Sequence, residues 1–214
     1  MAERVLYGYF RSSAAYRVRI ALNLKGLAYR QRPVNLLKGE QKSAEYLALN
    51  PHGMVPLLDD GGVKIVQSLA ICEYLDDAYP DTARLLPSDP VARARARSIA
   101  LAIAADIHPL QNPRVGKHLQ AEFGVGEDGK TEWIRHWIRT GFDALEQQLA
   151  ASPARYAAGD EPTLADVCLL PQVFSARRFA VDLAPYPHIV RIAEALDALP
   201  AFADAHPAKQ PDAV

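Results

Sequence analysis

Cysteine is scarce in this chain: only Cys72 and Cys168 among 214 residues, far apart and each within an apolar helical pattern. That excludes a disulfide framework and points to two buried thiols. With no cysteine near Ser12, a Cys-x-x-Cys redox pair at the first turn is excluded as well. Charge of one sign is also missing. With 24 Lys and Arg against 25 Asp and Glu, the net charge is -1, which offers no electrostatic case for a nucleic-acid partner. No apolar run reaches the length of a bilayer, and the first residues lack a basic-then-apolar signal pattern. A soluble cytoplasmic protein with no membrane partner is therefore expected. His108 and His118, with Asp106 nearby, are too widely spaced for the i, i+4 pairing of a helical metal site, so no metal is expected.

Half of the residues are hydrophobic, enough for one large or two small domains with real cores. Strands and helices alternate up to Tyr79. A first strand at 5–8 leads through Tyr9-Phe10-Arg11-Ser12-Ser13 into a helix at 13–25 closed by Gly26, and a second strand follows at 28–34. A short helix at 42–49 precedes the break Asn50-Pro51-His52-Gly53. Residues 55–66 read as two strands about an Asp-Gly turn, and Gln67-Ser68 opens a helix with Leu69, Cys72, Leu75 and Tyr79 on one face. This order predicts a parallel strand pair joined by a right-handed crossover, plus an antiparallel hairpin.

A boundary rich in proline follows Tyr79, and Asp89-Pro90 is a helix-start signal. Beyond it everything reads as helix. Residues 91–108 form an alanine-rich helix with Arg93, Arg95 and Arg97 on a solvated face, and 124–129 a loop. Trp133 or Ile134, then Ile138, Phe142, Leu145 and Leu149, make an apolar stripe. Thr163-Leu164-Ala165-Asp166 starts another helix with a capping-box-like pattern, and Pro171 must kink that helix or lie in its first turns. Residues 186–199 form a last helix before a frayed tail at 206–214.

Ser12 and Ser13 fall where a strand runs into a helix, a place with free N–H groups and the positive end of a helix dipole. A serine there is either an ordinary cap or a donor to a bound anion. The same alternative holds for Ser68. Together with Arg17-Val18-Arg19-Ile20-Ala21-Leu22, Leu49-Asn50-Pro51, Val55-Pro56, Gln67-Ser68-Leu69-Ala70-Ile71, Pro109-Leu110-Gln111-Asn112 and Pro171-Gln172-Val173, the chain resembles the zeta class of the glutathione transferase family. That class includes maleylacetoacetate and maleylpyruvate isomerases. The resemblance covers nearly the whole chain.

It implies an α+β thioredoxin-like N-terminal domain over 1–81, binding glutathione, and an all-α C-terminal domain over 88–214 that completes a cleft for a small dicarboxylate. A cytoplasmic homodimer is implied with it. By resemblance, Ser12 is the active-site serine that holds glutathione as thiolate, with Ser13 a second donor or the cap. Val55-Pro56 resembles a cis-proline turn that pairs with the tripeptide backbone. Gln67 and Ser68, at a helix N-terminus, are placed for the γ-glutamyl carboxylate. Gln41, His52 and Gln111 are further cofactor contacts. Arg11, beside the serines, is read as catalytic and substrate-binding. His108, Arg114, Arg177 and Arg178 are the other substrate-binding candidates, while Arg17 and Arg19 read as structural pairs.

The activity implied is glutathione-dependent cis-trans isomerisation of a maleyl diketo acid to its fumaryl isomer, by addition and elimination of the cofactor's sulfur. A general transferase acting on small electrophiles or haloacids, and a non-catalytic glutathione-binding module, are the alternatives. One position departs from the class pattern. Ala14 stands where a cysteine usually follows the two serines, so chemistry assigned to that cysteine is absent here.

Overall fold

The computed structural model describes residues 3–151 and 154–213. The chain divides into two compact units, one built from the residues up to Leu86 together with those from Ala198 onward, the other from Pro87–Asp197.

The first unit is built on a four-stranded sheet of order β2-β1-β3-β4, with β1 at Arg4–Gly8, β2 at Arg30–Pro33, β3 at Leu57–Asp60 and β4 at Val63–Val66. As the sequence predicts, β1 and β2 are parallel, and β3 and β4 are an antiparallel hairpin. The hairpin closes on Gly61 and Gly62, both with positive φ (63° and 99°), a backbone that side chains resist. Helix α1 (Ser13–Leu24) follows β1, α2 (Ala44–Leu49) lies between β2 and β3, and α3 (Ser68–Ala78) follows β4.

Helix α1 is buried around most of its circumference, from Ala15 to Leu22. Its neighbours explain this, because α1 packs on α3 and on a short C-terminal helix, α9 (Pro200–Ala203). The Tyr16 hydroxyl donates to Phe202 O and Asn23 Nδ2 to Ala201 O. Arg19, 1% exposed, donates from Nε to Ala205 O and from Nη2 to Phe10 O. Burial pulls the Arg19 guanidinium down to about 10, which still leaves it charged near neutrality. Residues 206–214 were expected to fray, of which Val214 lies outside the described residues. Instead Pro207–Lys209 is a 3-10 turn, and Gln210 is buried and bonded to Gln31. A chain end is ordered when it is tied down, and here Gln210 supplies hydrogen bonds that hold the segment in unit 1 rather than with the helices before it.

The regular elements described in the second unit are helices: α4 (Pro90–Leu101), α5 (Pro113–Phe123), α6 (Glu127–Ala150), α7 (Leu164–Arg178) and α8 (Pro187–Asp197). Asp89 caps α4 through Ala92 N–H with Pro90 at the first position, as expected. The helix expected to run to 108 instead passes into a π-helical turn at Ala102–Ile107 and a 3-10 turn at His108–Gln111. Pro109 lacks the N–H that would continue an α-helix. The expected loop at 124–129 is shorter. Gly124 closes α5 with φ 63°, and α6 takes in Gly129 behind Glu127 and Asp128, which oppose the positive end of its dipole. The stripe Ile134, Ile138, Phe142, Leu145 and Leu149 is buried as expected, and the Thr163–Asp166 capping box forms. Pro171 stands inside α7, well past its first turn.

Candidate functional site

The sheet register brings the unit 1 candidates to one end of the sheet. Tyr7 pairs with Leu57, Leu57 with Val66, and Gly8 with Pro33. The residues after β1 (Tyr9 to Ser13), after β2 (toward Gln41), before β3 (Val55-Pro56) and after β4 (Gln67-Ser68) therefore all leave from the same end.

At the β1–α1 turn, Ser12 is the N-cap of α1, its Oγ accepting from Ala15 N–H at 3.2 Å. A hydroxyl that accepts this bond keeps its own proton for another acceptor, so cap and donor are compatible roles. Ser13 is the first residue of the helix. Arg11 donates from Nη2 to the Tyr9 hydroxyl at 3.1 Å and lies over the Phe10 ring at 4.8 Å, which fixes the plane of its guanidinium. The turn is tied from the far end of the chain, where Asp212 Oδ2 accepts from Phe10 N–H at 2.9 Å. Tyr9, Phe10 and Asp212, with Pro33, Asn35, Leu37 and Glu40, line a cavity of about 340 Å³.

The Val55–Pro56 bond is cis. Two buried side chains shape its approach, Asn50 Nδ2 and the Tyr46 hydroxyl each donating to Met54 O at 2.7 Å. Burial pushes the Tyr46 hydroxyl up to about 12, so it stays a donor. Val55 packs beside Val5, Tyr7, Val34, Tyr46 and Leu57. His52 is exposed, with its N–H given to Asn50 Oδ1. The following Gly53 has φ 57° and leaves no room for a side chain, since a Cβ would stand 2.9 Å from Gln41 O. The 50–54 loop thus lies against the segment holding Gln41, whose Oε1 is buried without a partner among the described residues.

At the head of α3, Gln67 holds φ 70° and ψ 119°, a backbone conformation that strains a residue with a side chain by about 1–3 kcal/mol and gathers at functional sites. Gln67 makes no side-chain cap, and no acidic residue stands in the first turn of α3. The N–H groups of that turn are left for another acceptor. Ser68 is buried, and its Oγ accepts from Nη1 of Arg17, itself 2% exposed, at 3.3 Å.

In the second unit, Gln111 is buried and its amide is engaged at both ends, Nε2 donating to Gln172 Oε1 at 2.8 Å and Oε1 accepting from Ser175 Oγ at 2.7 Å. His108 opens the 3-10 turn and is half-buried. Arg114 is exposed in the first turn of α5. Arg177 pairs with Asp197 at 3.2 Å, while the exposed Arg178 lies over the Phe179 ring at 5.0 Å. Both cysteines are buried thiols outside any disulfide. Among the described residues, no His, Cys, Asp or Glu group is arranged to hold a metal, and no helix is long and apolar enough to cross a membrane.

Sequence reasoning passed over Asp212, and took Arg17 for part of a structural pair. Helical spacing beside two serines gave no sign that Arg17 is buried without a carboxylate.

The family model for the glutathione S-transferase N-terminal domain matches residues 3–77, and that for the C-terminal domain residues 132–206. The chain belongs to the glutathione S-transferase family, with the small mixed sheet and the helical segment of that architecture. It is 50% identical over 210 residues to the maleylacetoacetate isomerase of Rattus norvegicus, covering 97% of this chain and 94% of that one. It is 48% identical over 209 residues to a maleylpyruvate isomerase of a Ralstonia species, covering 97% and 98%. A solved maleylacetoacetate isomerase of Methylobacterium extorquens AM1, with bound malonate and glutathione, superposes with a TM-score of 0.95 at 43% identity, covering 98% of this chain and 99% of that one.

Proposed function

We propose that this protein is a glutathione-dependent cis-trans isomerase that converts a maleyl diketo acid, maleylacetoacetate or maleylpyruvate, to its fumaryl isomer. The observation that carries this reading is the convergence at one sheet end of the Ser12 hydroxyl, the cis Val55–Pro56 turn and the uncapped head of α3. Relatives named for both substrates, one of them solved with glutathione, support it.

The residues present fit glutathione. An acceptor-poor helix start with a buried arginine behind it suits the γ-glutamyl carboxylate at Gln67 and Ser68. The peptide groups around Val55, with Gln41 and His52 on the adjoining loops, suit the rest of the tripeptide. Gln111, whose amide keeps a second Nε2 hydrogen, is a further contact. When bound, glutathione supplies a sulfur nucleophile for reversible addition across the maleyl double bond, which frees rotation about it.

The protein's own contribution is electrostatic. Ser12, with the N–H groups that open α1, donates toward sulfur and favours thiolate over thiol, and Ser13 is a second donor. Arg11 has guanidinium N–H groups beyond the one given to Tyr9, and these meet the negative charge that builds on the diketo acid. His108, Arg114, Arg177 and Arg178 complete the set proposed for the dicarboxylate. We further read the protein as a cytoplasmic homodimer, testable by sedimentation of the purified protein.

The test is a spectrophotometric assay with each substrate, with and without glutathione. Turnover that requires glutathione but leaves its concentration unchanged is the expected result, and net consumption of glutathione with small electrophiles alone would replace the isomerase by a conjugating transferase. Ser12→Ala should lower kcat by about 10²–10³-fold, the usual loss on removing one such donor, while raising KM for glutathione only a few-fold. Unchanged turnover would remove Ser12 from the mechanism.

A further inference from the structure

Arg17 stands out among the buried side chains of unit 1. It is 2% exposed, and among the described residues only Nη1 of its guanidinium nitrogens has a partner, Ser68 Oγ at 3.3 Å. Nε and Nη2 are buried with none among those residues. No carboxylate lies within ion-pair distance of it among the described residues. A buried, uncompensated cation is among the most unfavourable groups a fold can carry. Nearby buried cations show the contrast: Lys25 is held by Asp76 at 2.9 Å and Ala83 O, and Arg19 by two backbone carbonyls.

The place where Arg17 is attached supplies the missing counterion. Its Nη1 reaches the first residue of α3, a helix without a side-chain cap or an acidic first turn. A serine hydroxyl has one proton to give. Because Ser68 Oγ already accepts from Arg17, that proton is turned away from the guanidinium and toward whatever lies at the helix head. A chain of donors then runs from guanidinium to hydroxyl to ligand, each bond polarising the next.

We propose that Arg17 is a positioning residue for the ligand's carboxylate: through Ser68 it supplies the full positive charge behind the α3 N-terminus, and the bound anion is the counterion that the free protein lacks. On the glutathione reading, on which this rests, the group held is the α-carboxylate of the γ-glutamyl residue. The site therefore selects charge as well as shape, because an uncharged group in that place leaves the cation uncompensated.

The experiment is calorimetric binding of two unreactive ligands, S-methylglutathione and its γ-glutamyl α-carboxamide, to the wild type, Arg17→Gln and Arg17→Lys, with the unfolding midpoint of each ligand-free protein. The wild type should prefer the carboxylate by about 10–100-fold, the range of a charge-assisted hydrogen bond. Arg17→Gln should lose most of that preference while the carboxamide binds nearly as before, and Arg17→Lys should recover part of it. The ligand-free Arg17→Gln protein should melt no lower than the wild type, because removing an unpaired buried charge relieves the fold. An undiminished preference in Arg17→Gln overturns the proposal, as does a failure of both variants to fold, which would assign Arg17 to the core alone. If the wild type binds neither ligand, the glutathione reading fails and the proposal falls with it. Wild-type binding without discrimination overturns the proposal and leaves that reading intact.

Discussion

Asp166 carries more of the second unit's stability than a surface reading of a helix cap suggests. Its Oδ1 accepts from Ala157 N–H at 2.8 Å, and its Oδ2 accepts from Thr163 N–H at 2.8 Å and from Thr163 Oγ1 at 3.1 Å. Asp166 is fully buried, so Asp166→Ala leaves two backbone N–H groups without water or partner. Each such orphan costs about 1–3 kcal/mol, giving a loss of about 4 kcal/mol, or roughly 8–16 °C in the unfolding midpoint for a chain of this size. Burial pushes the carboxyl up to about 6 from 3.8, against the donated hydrogen bonds that pull it down. Between those values the fold holds the proton more tightly than the unfolded chain does. The contribution of this group is thus full below pH 3.8 and falls as pH rises through 6, by about 1.4 kcal/mol per pH unit. The gap between wild type and Asp166→Ala should therefore narrow by about 2 kcal/mol from pH 4.5 to pH 7.5. Asp166→Asn should resemble Asp166→Ala, because one acceptor oxygen becomes an NH₂ facing a donor. Thermal unfolding of the three proteins at the two pH values measures this. Equal midpoints, or a gap that widens with pH, would refute the reasoning.

Two further perturbations follow from contacts of single residues. At Gly141 a Cβ would overlap Cδ1 and Cγ1 of the buried Ile107, so Gly141→Ala should destabilise by about 1–3 kcal/mol despite alanine's better helix propensity. Combining it with Ile107→Ala should cost less than the sum of the two in denaturant unfolding, whereas additivity would show that the clash does not exist. Removing the carboxylate that accepts from Phe10 N–H, by Asp212→Ala, should speed hydrogen exchange of the Phe10 amide about 10-fold or more, the loss expected for a charge-assisted bond. Unchanged protection there would mean that the tail does not hold the β1–α1 turn.

Most of unit 1 was legible because its signals are local. The apolar run before Ser12 marks a buried strand, and the Asp-Gly turn and the glycine closing α1 each name a backbone geometry that few other residues permit. The cis Val55–Pro56 bond is different, since nothing in the dipeptide alone prefers it and only the resemblance pointed there. Gln67 was legible as a helix start but not as a positive-φ residue, because glycine is the usual sign of that conformation and glutamine is not. Arg17 and Arg19 read as structural pairs, and Arg19 does hold two backbone carbonyls, but the surroundings of Arg17 were hidden for a related reason. Helical spacing gives the face of a residue but not what covers it, and α1 is covered on the side of α9 by a segment nearly two hundred residues distant in sequence. Gln111 was found as part of a motif. Its engagement with Gln172 and Ser175 is a tertiary fact that no spacing encodes.

The replacement of the usual cysteine by Ala14 changes what kind of site this sheet end can be. What the protein places there is a set of donors: the Ser12 hydroxyl, the uncapped N–H groups of α3, Ser68 backed by Arg17, and Arg11 over Phe10. Its two thiols are 1% and 0% exposed and lie within helices α3 and α7. A site rich in donors and lacking a thiol of its own can stabilise negative charge but has no sulfur with which to attack a double bond. Sulfur addition must therefore use a sulfur that arrives with the ligand, and a ligand carrying both a thiol and a carboxylate matches the two donor groups, one heading α1 and the other α3. The absence of the cysteine thus narrows the chemistry toward a nucleophile that is borrowed and returned, which is the requirement of an isomerase that leaves its cofactor unchanged.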